Sequence, residues 1–494
     1  MPTSYDQIAY PCSPQAQTHP GLLATLATLH GLTPTPIDRC QVLEIGCNDG
    51  SNLIPMAADE PGSHFTGIDL AQTAIATAQD WSRRLGLQNT TFTQADILDW
   101  NPGDLRFDYI LVHGVYSWVP PHVREAILKL CRNRLTPNGV AYISYNALPG
   151  CYFRSYVWDV LRLKTKGLID PLEKIAAARE IAAKMCDWMG NEYLQPAIRK
   201  EFELLNKVHE SVLLHDDLSE CHTPFYLSDF VEAAQIHGLQ YLCDAHFSRD
   251  SVHNPDLAGE EWLTARLYSD FVSVRKFRSS ILCHAEAAVD HTIQSGRVWG
   301  LSVSSPAEPQ PEQDDGTQTF KLGDEKSLST NHPVAKRIIS ELSGIWPGSR
   351  KASDLPLESL GPDDGAALLL RLYEARAIEL RVQPPRLVST VSERPVASLL
   401  ARLQLASGQL AVTNQRHLIV MLTDELSRQF LQLLDGSRDR AAVVRDLIAH
   451  FEGKAPLAAW HDNGPASPLE LALMLDQGMD GNLAQMARLC LLVA

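Results

Sequence analysis

The segment QVLEIGCNDGSNL, at positions 41–53, leads from a predicted strand into a turn with two glycines. Glu44 closes the strand, and Gly46 and Gly50 bracket the turn. In a dinucleotide-binding fold, the middle glycine of such a turn lets a pyrophosphate approach the backbone. Asn48 stands at that position here, so the turn favours a nucleoside ligand that lacks phosphates. For this segment by itself, an ordinary strand-to-helix corner is the alternative interpretation.

Polar residues also end the next three strand candidates. Asp69 ends the second candidate, Asp96 the third and His113 the fourth. An acidic residue about 20 positions beyond a glycine turn typically accepts hydrogen bonds from the ribose of a bound nucleotide. We therefore predict that Asp69 binds a ribose and that Asp96 binds an adenine amino group. Each residue alone is more typical of a helix cap, but their joint register with the glycine turn indicates a nucleoside site.

S-adenosylmethionine is a nucleoside of this kind, because it has no phosphate and carries a charged amino-acid tail. The Glu44 carboxylate is suited to the ammonium group of that tail. S-adenosylmethionine is therefore the predicted cofactor. Its predicted binding residues are Glu44, Gly46, Cys47, Asn48, Gly50, Asn52, Asp69, Leu70, Asp96, Ile97 and His113.

The segment HGVYSWVP, which follows the fourth strand candidate, supplies the predicted catalytic residues Tyr116, Trp118 and His113. The two aromatic residues lie where a methyl acceptor should approach, and aromatic ring faces attract ammonium and methylammonium groups. His113 is a candidate base or cofactor contact. For Tyr116 and Trp118, packing in the protein core remains the alternative.

The predicted site residues come together only if neighbouring strands place their carboxyl ends at the same edge of a sheet. Five strand candidates begin at Cys40, Ser63, Thr90, Phe107 and Gly139, and helical patterns separate them. One such pattern, PPHVREAILKLCRNRLTPNG, is expected to end at Gly139. Strands that alternate with helices predict an open parallel sheet, which binds ligands at the carboxyl ends of its strands.

Helical patterns continue from about Tyr152 to Leu214. The segment FYLSDFVEAAQIHGLQYLCDAHF then predicts a helix, a glycine stop and a strand, and the later FRSSILCHA predicts one more strand. These two strands fit an antiparallel pair that would close the sheet, with the helical excursion EEWLTARLYSDFV between them. An exposed apolar stripe on the helical insert would indicate either a homodimer interface or a surface that lines the substrate-binding site. Packing of the insert against the sheet is the alternative.

The segment from Val303 to Thr317 contains SSPAEPQPEQDDG and is rich in proline and acidic residues. This composition predicts a flexible linker. Beyond it, two regions each combine short strands with helices.

Several segments resemble a known family. VLEIGCNDGSNLIPMA, FTGIDL, HGVYSWVP and SYNALPG are similar to class I S-adenosylmethionine-dependent methyltransferases that carry a methyltransferase regulatory domain. That family includes the rickettsial protein lysine methyltransferases, which act on outer-membrane proteins. The resemblance extends to the Tyr-Asp and Thr-His-Pro opening, to HDDLSECHTPFYLSDF and to LLDGSRDRAAVV, so it covers nearly the whole chain.

The resemblance implies an enzyme of the EC 2.1.1 class that N-methylates lysine side chains of protein substrates by direct in-line transfer. An Asn/Asp-Pro-Pro-Tyr motif is absent after the fourth strand candidate, which disfavours glutamine and adenine as acceptors. Two alternatives remain open. One is a small-molecule N- or O-methyltransferase, and the other is a non-catalytic regulatory protein that binds S-adenosylmethionine.

The expected fold class is α/β: a Rossmann-like, mostly parallel methyltransferase sheet with a closing antiparallel hairpin, a helical insert and two C-terminal winged-helix-like α+β modules. The expected domains are an N-terminal cap segment (1–38), an S-adenosylmethionine-binding core (39–153), a helical insert (154–216), a regulatory region that completes the sheet (217–290), a linker (291–317), a middle winged-helix-like domain (318–400) and a C-terminal winged-helix-like domain (401–494).

Two further segments carry residues that invite a functional interpretation. Tyr5, Tyr10 and His19 precede the core and are candidates for a lid over the cofactor, with surface packing as the alternative. The run HDDLSECH, at 215–222, matches neither a CxxC nor an HExxH metal motif, although His246 and His253 follow it. We expect no metal site and interpret the run as a polar cap for the next helix, while a role at the substrate entrance stays open.

Composition limits the classes of partner. The formal net charge of −16 disfavours nucleic-acid binding, because phosphate contacts need lysine and arginine. No secretory signal pattern and no run of eighteen uncharged apolar residues is present, so we expect a cytoplasmic protein without membrane insertion. The ten cysteines include no CxxC pair, which favours reduced thiols.

Overall fold

The computed structural model describes residues 4–246, 261–323, 326–388, 390–451 and 468–493. The chain divides into two compact units. The first unit comprises Met1–Ser13 and Gln17–Gln294, and the second comprises Pro14–Ala16 and Ser295–Ala494.

A seven-stranded sheet forms the centre of the first unit, in the order β3-β2-β1-β4-β5-β7-β6. The first five strands along the chain run parallel, and β7 pairs antiparallel with both β5 and β6. This arrangement confirms the predicted parallel sheet and its closing antiparallel pair. The strands are β1 (Gln41–Ile45), β2 (His64–Asp69), β3 (Thr90–Gln94), β4 (Phe107–Val112), β5 (Leu135–Asn146), β6 (Leu239–Asp244) and β7 (Phe277–His284).

Helices of the first unit cover the sheet and form the insert. All six residues of β4 are buried, as expected for a central strand that is covered on both faces. The helices are α1 (Ser4–Gln7), α2 (Pro20–Leu29), α3 (Leu53–Asp59), α4 (Gln72–Leu85), α5 (Pro121–Arg134), α6 (Tyr152–Thr165), α7 (Pro171–Trp188), α8 (Gln195–Leu205), α9 (Glu210–Val212), α10 (Leu227–Ile236) and α11 (Trp262–Ser273).

The helical insert has its own small core. Val157 of α6, Ile175 and Ala178 of α7, and Phe202 of α8 are buried together in it. Directly after α9, a single π-helical turn covers Leu213–Asp217.

The predicted end of helix α5 is wrong by five positions. The helix ends at Arg134, and β5 already begins at Leu135. Pro137 accounts for the early end, because a proline disfavours helical geometry in the residue before it. Leu135 instead pairs with Phe107 of β4, ahead of a local shift in register.

The two faces of the sheet differ in chemistry. Leu43, Ile45, Val112, Ile143 and Tyr145 all belong to one large hydrophobic cluster. Successive residues of a strand point to opposite faces, so the alternating residues of β1, β4 and β5 face the other way. That second face carries Glu44, Ser144 and Asn146 towards the carboxyl edge.

The second unit contains three small sheets and six helices in its described ranges. Its strands are β8 (Ser302–Ser304), β9 (Glu308–Pro309), β10 (Gln318–Lys321), β11 (Ser327–Thr330), β12 (Arg350–Lys351), β13 (Glu379–Arg381), β14 (Ala411–Thr413) and β15 (Ile419–Met421). Its helices are α12 (Pro333–Gly344), α13 (Pro362–Glu374), α14 (Leu399–Ala406), α15 (Glu425–Leu433), α16 (Arg440–Phe451) and α17 (Pro468–Arg488).

The prediction of a flexible linker over 291–317 is wrong for much of that range. Val303 is fully buried in β8, the middle strand of the sheet β12-β8-β13. Glu308 and Pro309 form β9 and pair with β10. The proline-rich composition concealed two strands that are only two or three residues long, and the buried Val303 and Ala307 hold them in place.

Within the described ranges, the structure has no helix that is both long and apolar enough to cross a membrane.

Candidate active site

The turn after β1 depends on its glycines. Gly46, Asn48 and Gly50 all have positive φ angles, of 76°, 47° and 76°. A Cβ atom on Gly46 would lie 2.6 Å from Cγ2 of Val115, so no larger residue fits without a shift. Asn48 is among the few non-glycine residues that adopt this left-handed geometry readily. Its backbone N–H donates to Oδ2 of Asp69 at 2.9 Å, which joins the turn to the end of β2.

Glu44 is buried, and only one of its two carboxylate oxygens has a hydrogen-bond partner in the described protein. Nδ2 of Asn52 donates to Oε1 of Glu44 at 2.7 Å and to Oγ1 of Thr18 at 3.0 Å. Oε2 of Glu44 has no hydrogen-bond partner among the described residues. Burial raises the pKa of Glu44 to about 8, against the opposing effect of the Asn52 hydrogen bond. A buried carboxylate oxygen without a partner is costly, and a ligand ammonium group would satisfy it.

Asp69 lies at the end of β2, where both of its oxygens accept backbone hydrogen bonds. Oδ1 accepts from the N–H of Ala71 at 2.8 Å, and Oδ2 accepts from Asn48. Burial raises the pKa of Asp69, and these backbone donors oppose that shift. Each carboxylate oxygen retains a second lone pair, so the geometry leaves acceptor capacity for ribose hydroxyls. The neighbouring Leu70 is 53% exposed and presents an apolar surface beside them.

The remaining predicted cofactor residues differ in exposure. Asp96 lies two residues beyond β3 and is exposed, and its Oδ1 accepts from the N–H of Leu98 at 2.9 Å. Ile97 packs against the large hydrophobic cluster. Cys47 is buried next to Gly67, where an added Cβ would lie 2.7 Å from the Cys47 sulfur. The Cys47 side chain therefore packs between the turn and Gly67 of β2.

His113 follows β4 and is bound to the neighbouring strand. Its Nδ1 lies 3.0 Å from the Tyr142 hydroxyl and 3.3 Å from Oγ of Ser144. Burial lowers the pKa of His113 to about 4, with a further contribution from His246. The imidazole is therefore neutral near pH 7. The ring of Phe277, on β7, stands edge-on at 6.0 Å from the His113 ring.

The structure contradicts the prediction that Tyr116 lies at the acceptor entrance. Tyr116 is 3% exposed and belongs to the large hydrophobic cluster, where it packs against Tyr145, Phe225 and Phe230. The residues after β4 form a single 3-10 turn, Tyr116–Trp118, which directs Tyr116 into the core. Packing, the alternative interpretation of this residue, is the correct one.

Trp118 at the end of the same turn is only partly buried. Its ring lies 4.9 Å from that of His222 and 6.1 Å from that of Trp158, both of which come from the region after β5. The structure thus joins Trp118 to two aromatic residues that the motif HGVYSWVP does not contain.

The N-terminal segment is attached at two places. Oδ1 of Asp6 accepts from the backbone N–H and the hydroxyl of Thr73 in α4. The Tyr10 hydroxyl donates to Oδ2 of Asp216 at 3.0 Å, and the Tyr5 ring stacks on His215 at 4.0 Å. Burial raises the pKa of Tyr5 to about 12, and the carboxylates of Asp216 and Asp69 add to this shift.

His19 caps helix α2, because its Nδ1 accepts from the N–H of Gly21. That Tyr5, Tyr10 and His19 form a lid over the cofactor stays a prediction.

The prediction that the run HDDLSECH caps the next helix is wrong. Helix α10 begins after Tyr226 without a side-chain cap. His215 and Asp217 instead lie buried in the π-helical turn, where Asp217 binds Arg154 and the indole N–H of Trp158. No group of three or more histidine, cysteine or acidic side chains is arranged for a metal ion in the described part of the chain. His253 lies outside the described residues.

The structure adds two residues that the sequence did not single out, Asn146 and Phe277, and joins Asn146 to His222, the last residue of the run HDDLSECH. Asn146 ends β5 and pairs in register with Phe277 of β7. Phe277 is 40% exposed, while the next six residues of its strand are buried. The available signal was the asparagine of SYNALPG, which lies near the end of a predicted strand as Asp69 does.

Three protein-family profiles match the chain. A methyltransferase domain matches residues 42–139, a predicted methyltransferase regulatory domain matches 209–284, and the family described as PKMT, C-terminal winged helix domain, matches 393–491. The first two matches lie on the seven-stranded sheet. The third supports the predicted winged helix at the carboxyl end.

Whole-chain relatives agree with these matches. Uncharacterized protein RP789 of Rickettsia prowazekii is 30% identical over 482 residues, covering 91% of this chain and 86% of the relative. The structure of PKMT2 from Rickettsia typhi has a TM-score of 0.86 at 26% identity, and covers 98% of this chain and all of that one. The structure of the same protein in complex with AdoHcy has a TM-score of 0.85, with the same identity and coverage.

The sheet topology, the glycine turn, the family matches and the likeness along the whole chain lead to one conclusion. The chain belongs to the class I S-adenosylmethionine-dependent methyltransferases that carry a methyltransferase regulatory domain.

Proposed function

We propose that this methyltransferase N-methylates lysine side chains of protein substrates by direct in-line transfer. The observation that carries the proposal is the extent of the likeness to PKMT2 of Rickettsia typhi, which agrees with the resemblance of the sequence to rickettsial protein lysine methyltransferases. The likeness covers 98% of the chain, including the insert and the winged helix, which lie outside the methyltransferase domain. Such additional domains suit a large substrate.

In this proposal, the residues around the glycine turn hold the cofactor. Glu44 accepts the ammonium of the methionine tail through its unpaired Oε2, and Asn52 keeps the carboxylate in place. Asp69 binds the ribose hydroxyls beside the exposed Leu70, and Asp96 binds the adenine amino group. Gly46, Asn48 and Gly50 shape the turn, with Cys47 and Ile97 packed behind it.

The bound cofactor supplies a methyl group that is electrophilic because it is attached to a sulfonium. The lysine nitrogen forms a bond to the methyl carbon as the carbon–sulfur bond breaks, and the sulfur keeps the electron pair. The resulting ammonium then loses a proton to solvent. The chain's task is to hold a neutral amine in line and to exclude water.

The acceptor side fits that task. The neutral His113, Phe277 and Trp118 surround the carboxyl edge of β4 and β5 with rings of low polarity. An apolar surrounding disfavours the charged form of an amine and so lowers its pKa in the direction that methyl transfer requires. Aromatic ring faces can also hold the methylated ammonium. His113 serves as a cofactor contact rather than as a strong base, since its pKa is low.

A homodimer is the proposed assembly. The insert exposes several large apolar side chains, among them Ile169 at 89%, Leu172 at 62% and Tyr193 at 98%. Exposed apolar groups of this kind are typical of surfaces that associate. Sedimentation at micromolar concentration should therefore give twice the chain mass, and a single species at the chain mass would contradict this assignment.

The proposed function is tested by methyl transfer into a lysate of a host that lacks the gene. Purified enzyme and cofactor with an isotopically labelled methyl group are added, and proteins and metabolites are separated before mass spectrometry. We expect label on a small number of proteins, at lysine. Label confined to small metabolites would exclude the protein-substrate proposal. The Asp69→Ala variant is the control that reports transfer unrelated to this site.

A further inference from the structure

Asn146 occupies a distinctive position in the sheet. It ends β5 on the same face as Glu44 and Ser144, opposite the large hydrophobic cluster. The β4–β5 pairing puts Val112 beside Ile143, so Asn146 lies just beyond His113 along the carboxyl edge. Glu44, His113 and Asn146 therefore follow one another along this edge, on the strands β1, β4 and β5.

The carboxamide of Asn146 is held in one orientation. Its Nδ2 lies 3.2 Å from Nε2 of His222. Burial lowers the pKa of His222 to about 3, so the ring is neutral and its Nε2 can accept that hydrogen bond. The backbone N–H of Asn146 donates to Oγ of Ser117 at 2.9 Å, and its carbonyl accepts from the N–H of Phe225. Nδ2, the backbone N–H and the carbonyl of Asn146 each have a hydrogen-bond partner, whereas Oδ1 has none among the described residues.

Two aromatic residues are connected to this carboxamide, one through strand pairing and one through His222. Phe277 pairs directly with Asn146 across the β5–β7 ladder and leaves 40% of its surface exposed. Trp118 contacts the ring of His222, the residue that holds Nδ2. Two rings and an acceptor atom that has no partner in the described protein suit an aliphatic chain that ends in an amine.

We propose that Asn146 is a methyl-acceptor contact, whose Oδ1 accepts an N–H of the attacking lysine amine near the rings of Phe277 and Trp118. A neutral primary amine has two N–H groups and one lone pair. One N–H donates to Oδ1, which leaves the lone pair free to attack the methyl carbon. His222 is a positioning residue in this assignment, because it fixes the Asn146 carboxamide without touching the acceptor. The inference rests on the proposed lysine activity and adds the residues that select the amine.

The test uses the full-length protein and a synthetic peptide that contains the lysine labelled in the lysate experiment. Asn146→Ala should lower kcat/KM for this peptide by about tenfold, the effect of losing one hydrogen bond. Calorimetry without cofactor should show peptide binding weakened by a similar factor, while the Kd for S-adenosylmethionine stays within about twofold. Asn138→Ala is the matched control, because Asn138 lies exposed at the other end of the same strand.

Two variants of His222 provide a second, independent test. His222→Gln keeps an acceptor atom close to the position of Nε2 and should retain peptide binding, whereas His222→Ala should weaken it as Asn146→Ala does. This rescue separates positioning of the carboxamide from general damage to the fold.

Three results would overturn the assignment. Peptide binding and kcat/KM that are unchanged in Asn146→Ala would remove Asn146 from the acceptor site. An equal loss of cofactor and peptide binding would show an effect on the fold, and equal defects in His222→Gln and His222→Ala would remove the positioning role. In each case lysine labelling by the wild-type enzyme would leave the proposed function intact. A wild-type enzyme that labels no lysine would reject the proposed function, and the inference with it.

Discussion

Asn52 donates a hydrogen bond to Oε1 of Glu44 at 2.7 Å and leaves Oε2 of the same carboxylate buried without a partner in the described chain. Asn52 thus fixes the orientation of the Glu44 carboxylate, but the described protein provides a hydrogen bond to only one of its two oxygens. A cofactor ammonium group would satisfy the other oxygen.

Glu44→Gln should weaken S-adenosylmethionine binding by about 10- to 100-fold, because a hydrogen bond to a charged group contributes about 1.5–3 kcal/mol. The amide keeps the shape of the side chain but cannot neutralise an ammonium. Calorimetric titration measures the change, and Glu125→Gln, on the exposed surface of helix α5, is the control. Equal affinities for wild type and Glu44→Gln would assign the ammonium to another residue.

Cofactor binding should release a proton near pH 7. Burial raises the pKa of Glu44 to about 8, so the free enzyme carries this carboxyl mainly protonated at neutral pH. Pairing with an ammonium requires the carboxylate, so affinity should rise between pH 6 and about 7.5. Titrations in two buffers of different ionisation enthalpy count the protons. The count should fall to near zero in Glu44→Gln, and an unchanged count would place the titrating group elsewhere.

The same shift predicts how pH affects the stability of the free protein. The pKa of Glu44 is higher in the folded state than in the unfolded chain. Its contribution to folding is therefore most favourable below the unfolded pKa and is lost as pH rises towards 8. Thermal unfolding without cofactor should show a Tm that falls less steeply over this range in Glu44→Gln than in wild type. Parallel Tm curves for the two proteins would contradict the assignment.

Gly46→Ala should abolish cofactor binding. It should also lower the free energy of unfolding by more than the cost of placing an alanine at a positive φ angle. A positive φ costs an alanine about 1–2 kcal/mol, and the new Cβ would also lie 2.6 Å from Cγ2 of Val115. Gly86→Ala is the matched control, since Gly86 has a φ of 69° and no atom within 4 Å of an added Cβ. Equal losses of Tm in the two variants would mean that Val115 can move aside.

The N-terminal segment should slow the release of the cofactor. Tyr10→Phe removes the hydroxyl that donates to Asp216, and Asp6→Ala removes both hydrogen bonds to Thr73. Tyr10→Phe should raise the cofactor dissociation rate by about fivefold and Asp6→Ala, which loses two bonds, by about thirtyfold, because each lost bond contributes about 1 kcal/mol. Stopped-flow displacement measures this rate, with Tyr268→Phe as the control at an exposed tyrosine of helix α11. Unchanged rates would favour simple surface packing of the segment.

The cofactor side of the site was predictable because its signals are local. Glu44, Gly46 and Gly50 lie within one short segment, and Asp69 follows the next strand, so strand order alone brings them together. The closing antiparallel pair was also predictable, since both of its strands have clear patterns.

The acceptor side was predicted less well because it depends on contacts between distant segments. Phe277 reaches Asn146 only through the pairing of β7 with β5, and His222 reaches Trp118 only through the chain that follows the insert. Whether Tyr116 or Trp118 faces the core depends on a single 3-10 turn, which no periodicity in the sequence specifies. The short strands β8 and β9 were missed for a related reason, since two or three residues give no alternation to detect.

The chemical identity of the labelled residue tests the central proposal most directly. Proteins labelled by the wild-type enzyme and by Asp69→Ala are hydrolysed to amino acids, and the products are separated by mass. The proposed function predicts labelled Nε-methyllysine with the wild-type enzyme and a strongly reduced amount with Asp69→Ala. Label recovered on another amino acid, or none in protein, would contradict lysine methylation by this site.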